Sequence, residues 1–473
     1  MIYGLGSVIT RFIGLFTLPL FTAYLKPEEY GVLAMLTLLT MVAQPVFSLG
    51  LSAAMGPSYF ERDNPLTKSR VVWTVFAIHT VSATLLVAIS WLFPVPIGQL
   101  VRLPAEYAPL VGLTLSGSAC IIVVTSFTQR VQFEKQAKLY VVATFTTALT
   151  ALLVSVFTVA YLGWGVKGMV IGQLAGNIAT VFIFLLIGMQ GMKPLVSLVT
   201  AKKLLQQGLP LVPSFAFMFV LMHANKFILE QEFGLEAVGI YSIGFNLGMA
   251  ISIATGSIAT AWYPFFMSYM ERQDEAKVIF GRIFTYYVFG IGLMTLFFFM
   301  VAKPVVMLLT SEAFSQAYIV VGLVASANYF AGMYTLFLTG IYFKKEISIQ
   351  SLIQGCAVLA SLPLTYYLII YFGVFGAALG LAMGHLLLPV FVHVWNIYRK
   401  KSYGWIDYEW KRIFLFFIIY LATAVLFLTV EADSITANLI LSCVGAVVVI
   451  FALVQLLSRS EIANVPRLKF LKL

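Results

Sequence analysis

The chain has 473 residues, 61% of them hydrophobic and only 10% charged, with a mean hydropathy of +0.97 and a formal net charge of +10. So little polar surface cannot dissolve a fold of this size in water, which excludes a soluble enzyme and predicts an integral membrane protein. The basic excess does not describe a nucleic-acid surface, because the cations lie in small groups over successive short breaks, where topology and anionic lipid account for them.

Apolar stretches of about 20 residues, each enough to cross roughly 30 Å of hydrocarbon as a helix, recur along the chain. Fourteen crossings are predicted, at 4–25, 31–56, 71–93, 107–128, 139–162, 166–189, 208–229, 237–263, 279–302, 315–342, 348–371, 374–397, 412–430 and 435–457. The runs are apolar on every side, so an all-α membrane fold is expected rather than a barrel of alternating strands. The first stretch, GSVITRFIGLFTLPLFTAYL at 6–25, holds a single charge, Arg11, and runs into KPEEYG with no signal-type cleavage site. Numbering the breaks alternately puts 23 Lys and Arg on one side and 4 on the other, leaving Arg11 and Lys226 of the 29 inside helices. Cytoplasmic termini follow. Cys120, Cys356 and Cys443 each fall within a predicted helix, so neither a disulfide framework nor a metal site is expected.

The chain also repeats itself. SYFERDN at 58–64 matches SYMERQD at 268–274, FTQRVQFEKQAK at 127–138 lies over FLTGIYFKKEIS at 337–348, and GVKGMVIGQLAGN at 165–177 lies over GVFGAALGLAMGH at 373–385, all offset by 208 to 210. Two homologous six-helix lobes are predicted, residues 1–190 and 208–400, joined by a cytoplasmic linker at 191–207 and followed by two helices and a tail in 401–473. Six crossings are an even number, so the lobes lie parallel about a pseudo-two-fold axis along the membrane normal, an arrangement that leaves a cavity for alternating access. Gly168, Gly172 and Gly176, with their counterparts Gly376, Gly380 and Gly384, form stripes of small residues at four-residue spacing, expected to let helices approach closely.

The opening YGLGSVITRFIGLFTLPLFTAYLKPEEYGVLAM, the stretch NKFILEQEFGLEAVGIYSIGFNLG at 225–248 and the fourteen-helix layout resemble the bacterial polysaccharide transporter family, the O-antigen flippases of the Wzx type within the MOP (MATE-like) superfamily. The resemblance implies carriage of an undecaprenyl-pyrophosphate-linked oligosaccharide from the cytoplasmic to the outer leaflet, without covalent change. It also implies membrane lipids as surroundings and contact with a polysaccharide polymerase or glycosyltransferases. The family often has Asp-Arg where this chain has Asn225-Lys226, which leaves no carboxylate at that position, and its members usually begin with a longer basic N-terminus, so a longer native start is expected.

Arg11 is the leading candidate for the substrate's phosphates, since a charge inside a membrane helix is costly unless it meets water, a partner or a headgroup, or snorkels to the surface. Lys226 is the second deep cation, with Glu230 one turn on as a competing local partner. Asn225 and His223 lie beside it. Gln44, Asn246, Gln173, Asn177 and Asn328 are candidates for a sugar path, whereas His79 and His385 are expected to bond between helices. Arg130 and Lys138 fall at the cytoplasmic mouth. No Asp or Glu is predicted deep in any helix, which argues against the carboxylate logic of cationic-drug exporters and for an anionic cargo. No cofactor is expected; a coupling ion, H+ or Na+, is left open. A MATE-like small-molecule exporter and a membrane-embedded polymerase or ligase are the alternatives, the latter disfavoured by short outward breaks and by the lack of Walker and G-x-S-x-G motifs.

Overall fold

The computed structural model describes residue 14 and residues 17–61, 63–269, 272–343, 348–398, 406–430 and 445. Most of the first predicted crossing, Arg11 included, and nearly all of the last lie outside the described residues. The described chain is all-helical, and ten of its helical segments are long and apolar enough to cross a membrane. Two of these, Phe215–Met267 with 53 residues and Ile349–Tyr398 with 50, are more than twice the length one crossing needs. Each is interrupted by a glycine with left-handed backbone, Gly234 at φ 77° and Gly373 at φ 53°, a conformation that costs a residue with a Cβ.

Contacts divide the chain into two compact units, Met1–Ser242 with Leu309–Ala313, and Ile243–Leu308 with Phe314–Leu473. The first holds α1 (Pro27–Phe47), α2 (Leu51–Phe60), α3 (Pro65–Leu92), α4 (Ala108–Phe133), α5 (Ala137–Val156), α6 (Gly165–Gly188) and α7 (Leu198–Gly208). It also holds most of α8 (Val212–Gly248). The stretch predicted as one crossing over 31–56 is two helices, α1 and α2, separated by a break where Leu49 (φ 55°) and Gly50 (φ 67°) are both left-handed. At the break the backbone of Gly208 packs against Gly50, where a Cβ would collide with the Gly208 carbonyl. The carbonyls freed at the break are met by side chains of α3: Ser82 Oγ donates to Phe47 O at 2.5 Å, and His79 Nε2 lies 3.2 Å from Ser48 O. His79, fully buried, thus bonds between helices.

Within each unit the glycine stripes do the same packing. In the first, a Cβ on Gly172 would strike Ser155 and one on Gly168 would press on Thr158; in the second, a Cβ on Gly380 would strike Thr365 and one on Gly376 Leu368. Ser155 and Thr365, like Thr158 and Leu368, are 210 residues apart, so the repeat read in the sequence recurs as the same helix–helix contact. A further pair is reciprocal. Gly31 abuts the Leu235 carbonyl and Gly239 abuts the Pro27 carbonyl, and these positions exchange under a shift of 208.

Gly31→Ala and Gly239→Ala are each expected to cost about 1–3 kcal/mol, as overpacking does in a close-packed site. Both should lower the melting temperature in detergent. Because either change opens the same contact, the double variant should lose less than the sum.

The second unit contains α9 (Ser252–Met267), α10 (Gln273–Leu309 except its last residue), α11 (Tyr318–Phe337), α12 (Ser348–Tyr398) and α13 (Trp410–Thr429). Its interior is aromatic, with Tyr329 stacked on Tyr287 and Tyr420, and Phe416 of α13 against Phe289. Buried hydroxyls find partners there: Tyr287 Oη donates to Tyr329 O at 2.9 Å, and Ser326 Oγ and Tyr420 Oη bond at 2.6 Å. His385 is buried with Nδ1 2.9 Å from Leu381 O of its own helix.

Candidate functional site: a cavity with hydroxyl and amide groups

The first unit contains a cavity of about 800 Å³ between α5, α6 and the first crossing. Its α5 wall is formed by Tyr140, Thr144, Thr147, Ala151 and Ser155, spaced by three and four residues and therefore on one helical face. On α6 the lining residues are Met169, Gln173, Gly176, Asn177 and Thr180; Gln132 closes one end, and Gly14, Thr17 and Phe21 complete the wall. The stretch from Tyr140 to Ser155 rises about 22 Å, most of a hydrocarbon core of roughly 30 Å.

The cavity mixes polar groups with a larger apolar area, and among the described residues its lining holds no Asp, Glu, Lys, Arg or His. The hydroxyls are also oriented. Thr144 Oγ1 donates to Tyr140 O at 2.9 Å, Thr147 to Thr144 O at 2.8 Å, Thr180 to Gly176 O at 2.9 Å and Thr17 to Gly14 O at 3.0 Å. With its proton given to its own helix, each hydroxyl keeps lone pairs that accept from O–H groups in the cavity. Gln173 Nε2 donates to Asn177 Oδ1 at 3.2 Å, which fixes the two amides relative to each other. Among the described residues, the polar part of this surface offers hydroxyl acceptors and amide groups and no ionised side chain.

The other sequence candidates are dispersed. Lys226, Asn225 and His223 are buried together on α8 and do not line this cavity. Asn225 Nδ2 donates to Tyr241 Oη at 2.5 Å, tying the two arms of α8 across the Gly234 turn. Glu230 faces Arg102, with Nε to Oε2 at 3.8 Å, and Arg102 also donates to Gln231 Oε1 at 2.8 Å. Gln44 and Asn246 are exposed, the latter in the second unit. Asn328, buried in that unit, donates to Val324 O at 3.0 Å. Arg130 is committed to structure: its guanidinium binds Glu134 at 2.7 Å and the carbonyls of Gly188 and Gln190 at 2.5 and 3.0 Å, which ties the end of α4 to the end of α6. Lys138 is exposed in the first turn of α5. Of the candidates among the described residues, Gln173 and Asn177 reach the cavity. The threonine face of α5 is its main wall, and its signal in the sequence is the three-and-four spacing of residues 140, 144, 147, 151 and 155.

The model of the family described as polysaccharide biosynthesis protein matches residues 21–319, more than half of the chain and all of the cavity from Phe21 onward. The chain belongs to this polysaccharide biosynthesis family. No curated protein sequence matches it significantly. Among solved structures, this family member is similar to the lipid II flippase MurJ in an inward closed conformation, at 13% identity with a TM-score of 0.74 over 94% of this chain and 96% of that one. It is also similar to a multidrug resistance MATE transporter of the MOP superfamily in an inward-facing conformation, at 16% identity and a TM-score of 0.64 over 83% and 98% of the two chains. An outward-facing MATE transporter of that superfamily matches at 15% identity and a TM-score of 0.55, over 85% and 94%. At these identities the likeness is one of fold: the polysaccharide biosynthesis family member is a multi-pass, all-helical membrane protein with the MATE and MurJ fold.

Proposed function

We propose that the protein is a flippase that carries an undecaprenyl-pyrophosphate-linked oligosaccharide of the O-antigen type from the cytoplasmic to the outer leaflet of a bacterial inner membrane, by alternating access and without covalent change. The observation that carries this reading is a cavity whose described lining bears hydroxyls and amides and no charged side chain, in a member of a polysaccharide biosynthesis family. Sugars need acceptors and donors without ions, and the threonine face and the Gln173–Asn177 pair supply them. The phosphates need a cation, and Arg11 is the charge that the sequence places in the first predicted crossing. Lys226 is the second cation of the proposal. The full architecture we propose is fourteen crossings in two parallel six-helix lobes with cytoplasmic termini; the reciprocal Gly31 and Gly239 contacts are what a pseudo-two-fold relation produces.

The test is a strain lacking its own flippase: the lipid-linked oligosaccharide should accumulate inside, and expression of this chain should return it to the surface. Unchanged accumulation with the protein present in the membrane contradicts the reading. The driving force gives a further expectation, because moving one negative charge outward gains about 2.3 kcal/mol per 100 mV of inside-negative potential. An imposed potential of that sign should accelerate transport in proteoliposomes, and a rate indifferent to potential would remove it as the drive.

A further inference from the structure

The linker between the predicted lobes contains a helix, α7, that hydropathy did not reveal. It is short and amphipathic: Leu204 is buried, whereas Val196, Leu198 and Val199 just before and at its start are 60%, 87% and 82% exposed. Lys202 is exposed one turn after Leu198, on the same face. A helix that presents apolar side chains and a lysine together belongs in the plane of a membrane surface.

Below it lies a groove of about 510 Å³ walled by Val46, Phe47, Ile78, Val81, Leu85 and Leu198. Its polar side chains are already engaged. Thr74 Oγ1 accepts from the Ser197 N–H at 3.2 Å, and Ser82 Oγ donates to Phe47 O at 2.5 Å, so the surface left to an occupant is hydrocarbon. Along α3 the lining runs from Thr74 to Leu85, about 16 Å of helix, which is half of a core of roughly 30 Å and so the depth of one leaflet.

We propose that this groove holds one acyl chain of an anionic phospholipid of the leaflet on the side of the basic breaks, with its phosphate at Lys202. The one-leaflet length suits an acyl chain, and much of a long polyprenyl chain would be left outside. Lys202 supplies the charge preference, since the neighbouring Lys203 is held by Glu61 at 2.5 Å. The site is separate from the polar cavity and stands without the transport proposal.

The test is native mass spectrometry of the purified full chain, titrated with phosphatidylglycerol and phosphatidylcholine of identical chains. Phosphatidylglycerol should bind about fivefold tighter, the effect of one lysine near an anionic surface. Lys202→Gln should abolish that preference, and Ala77→Phe, which fills the groove, should weaken both lipids. A phosphatidylglycerol with a photoreactive acyl chain, which needs no variant, should label α3 between Ala77 and Leu85 and the chain between Val196 and Ala201. Equal affinity of the two lipids, labelling confined to other helices, or displacement of the phospholipid by equimolar undecaprenyl phosphate would each overturn the proposal.

Discussion

Replacing Arg11 with alanine is expected to remove most transport while leaving the protein in the membrane at its normal level. The reason lies in what a guanidinium does at a phosphate: its fixed fork binds two oxygens at once, and it stays charged at any relevant pH. A lysine keeps the charge and loses the fork, so Arg11→Lys should lose part of transport, and Arg11→Glu, which repels the cargo, all of it. If the residue served only to snorkel to the surface, lysine would substitute fully and alanine would insert more easily, because a charge costs several kcal/mol inside an apolar helix. The measurement is surface polysaccharide in a flippase-deficient strain, normalised to protein in isolated membranes. Near-normal polysaccharide from Arg11→Ala would leave Lys226 as the remaining intramembrane cation of the mechanism.

Filling the cavity should be as damaging. Ala148 lies on the cavity wall of α5, between the threonines that accept hydrogen bonds and the alanine and serine that meet the α6 glycines. Ala148→Trp places an indole where the sugars are proposed to pass and should reduce transport at least tenfold, equivalent to about 1.4 kcal/mol. Ala148→Ser, which adds one acceptor and little volume, should retain it. Because the position lines open space, the tryptophan variant should keep its membrane abundance and its melting temperature. Full transport by Ala148→Trp would show that the cargo takes another path.

Which parts of this could be read from the sequence follows from what a hydropathy window and an offset comparison detect. The membrane class, the long apolar helices and the glycine stripes were legible, because they depend on composition and on four-residue spacing, and the contacts at Gly172 and Gly380 show what those stripes do. The α5 wall was hidden because threonine is nearly neutral in hydropathy: in a run apolar on average, a face of Thr144, Thr147 and Ser155 does not lower the mean, and only its periodicity marks it. The α7 helix is hard to see in the sequence because its 11 residues are too few for a crossing and its Lys202–Lys203 pair reads as part of a basic break. The break at Leu49–Gly50 was not legible from hydropathy, since the run stays apolar through it and the backbone of Gly208 that packs there comes from far along the chain. Gln44 and Asn246 stand out in the sequence as polar residues in apolar runs, and residue type alone does not say which face a side chain occupies.

The most direct measurement of the central claim is translocation itself, in proteoliposomes containing the purified chain and an undecaprenyl-pyrophosphate-linked oligosaccharide loaded in one leaflet, with its arrival in the other followed by a membrane-impermeant glycosidase. The account predicts that the wild-type chain makes the inner-leaflet pool cleavable from outside, and that Arg11→Ala and Ala148→Trp do not. Cleavage of the inner pool no faster than in protein-free vesicles would contradict it.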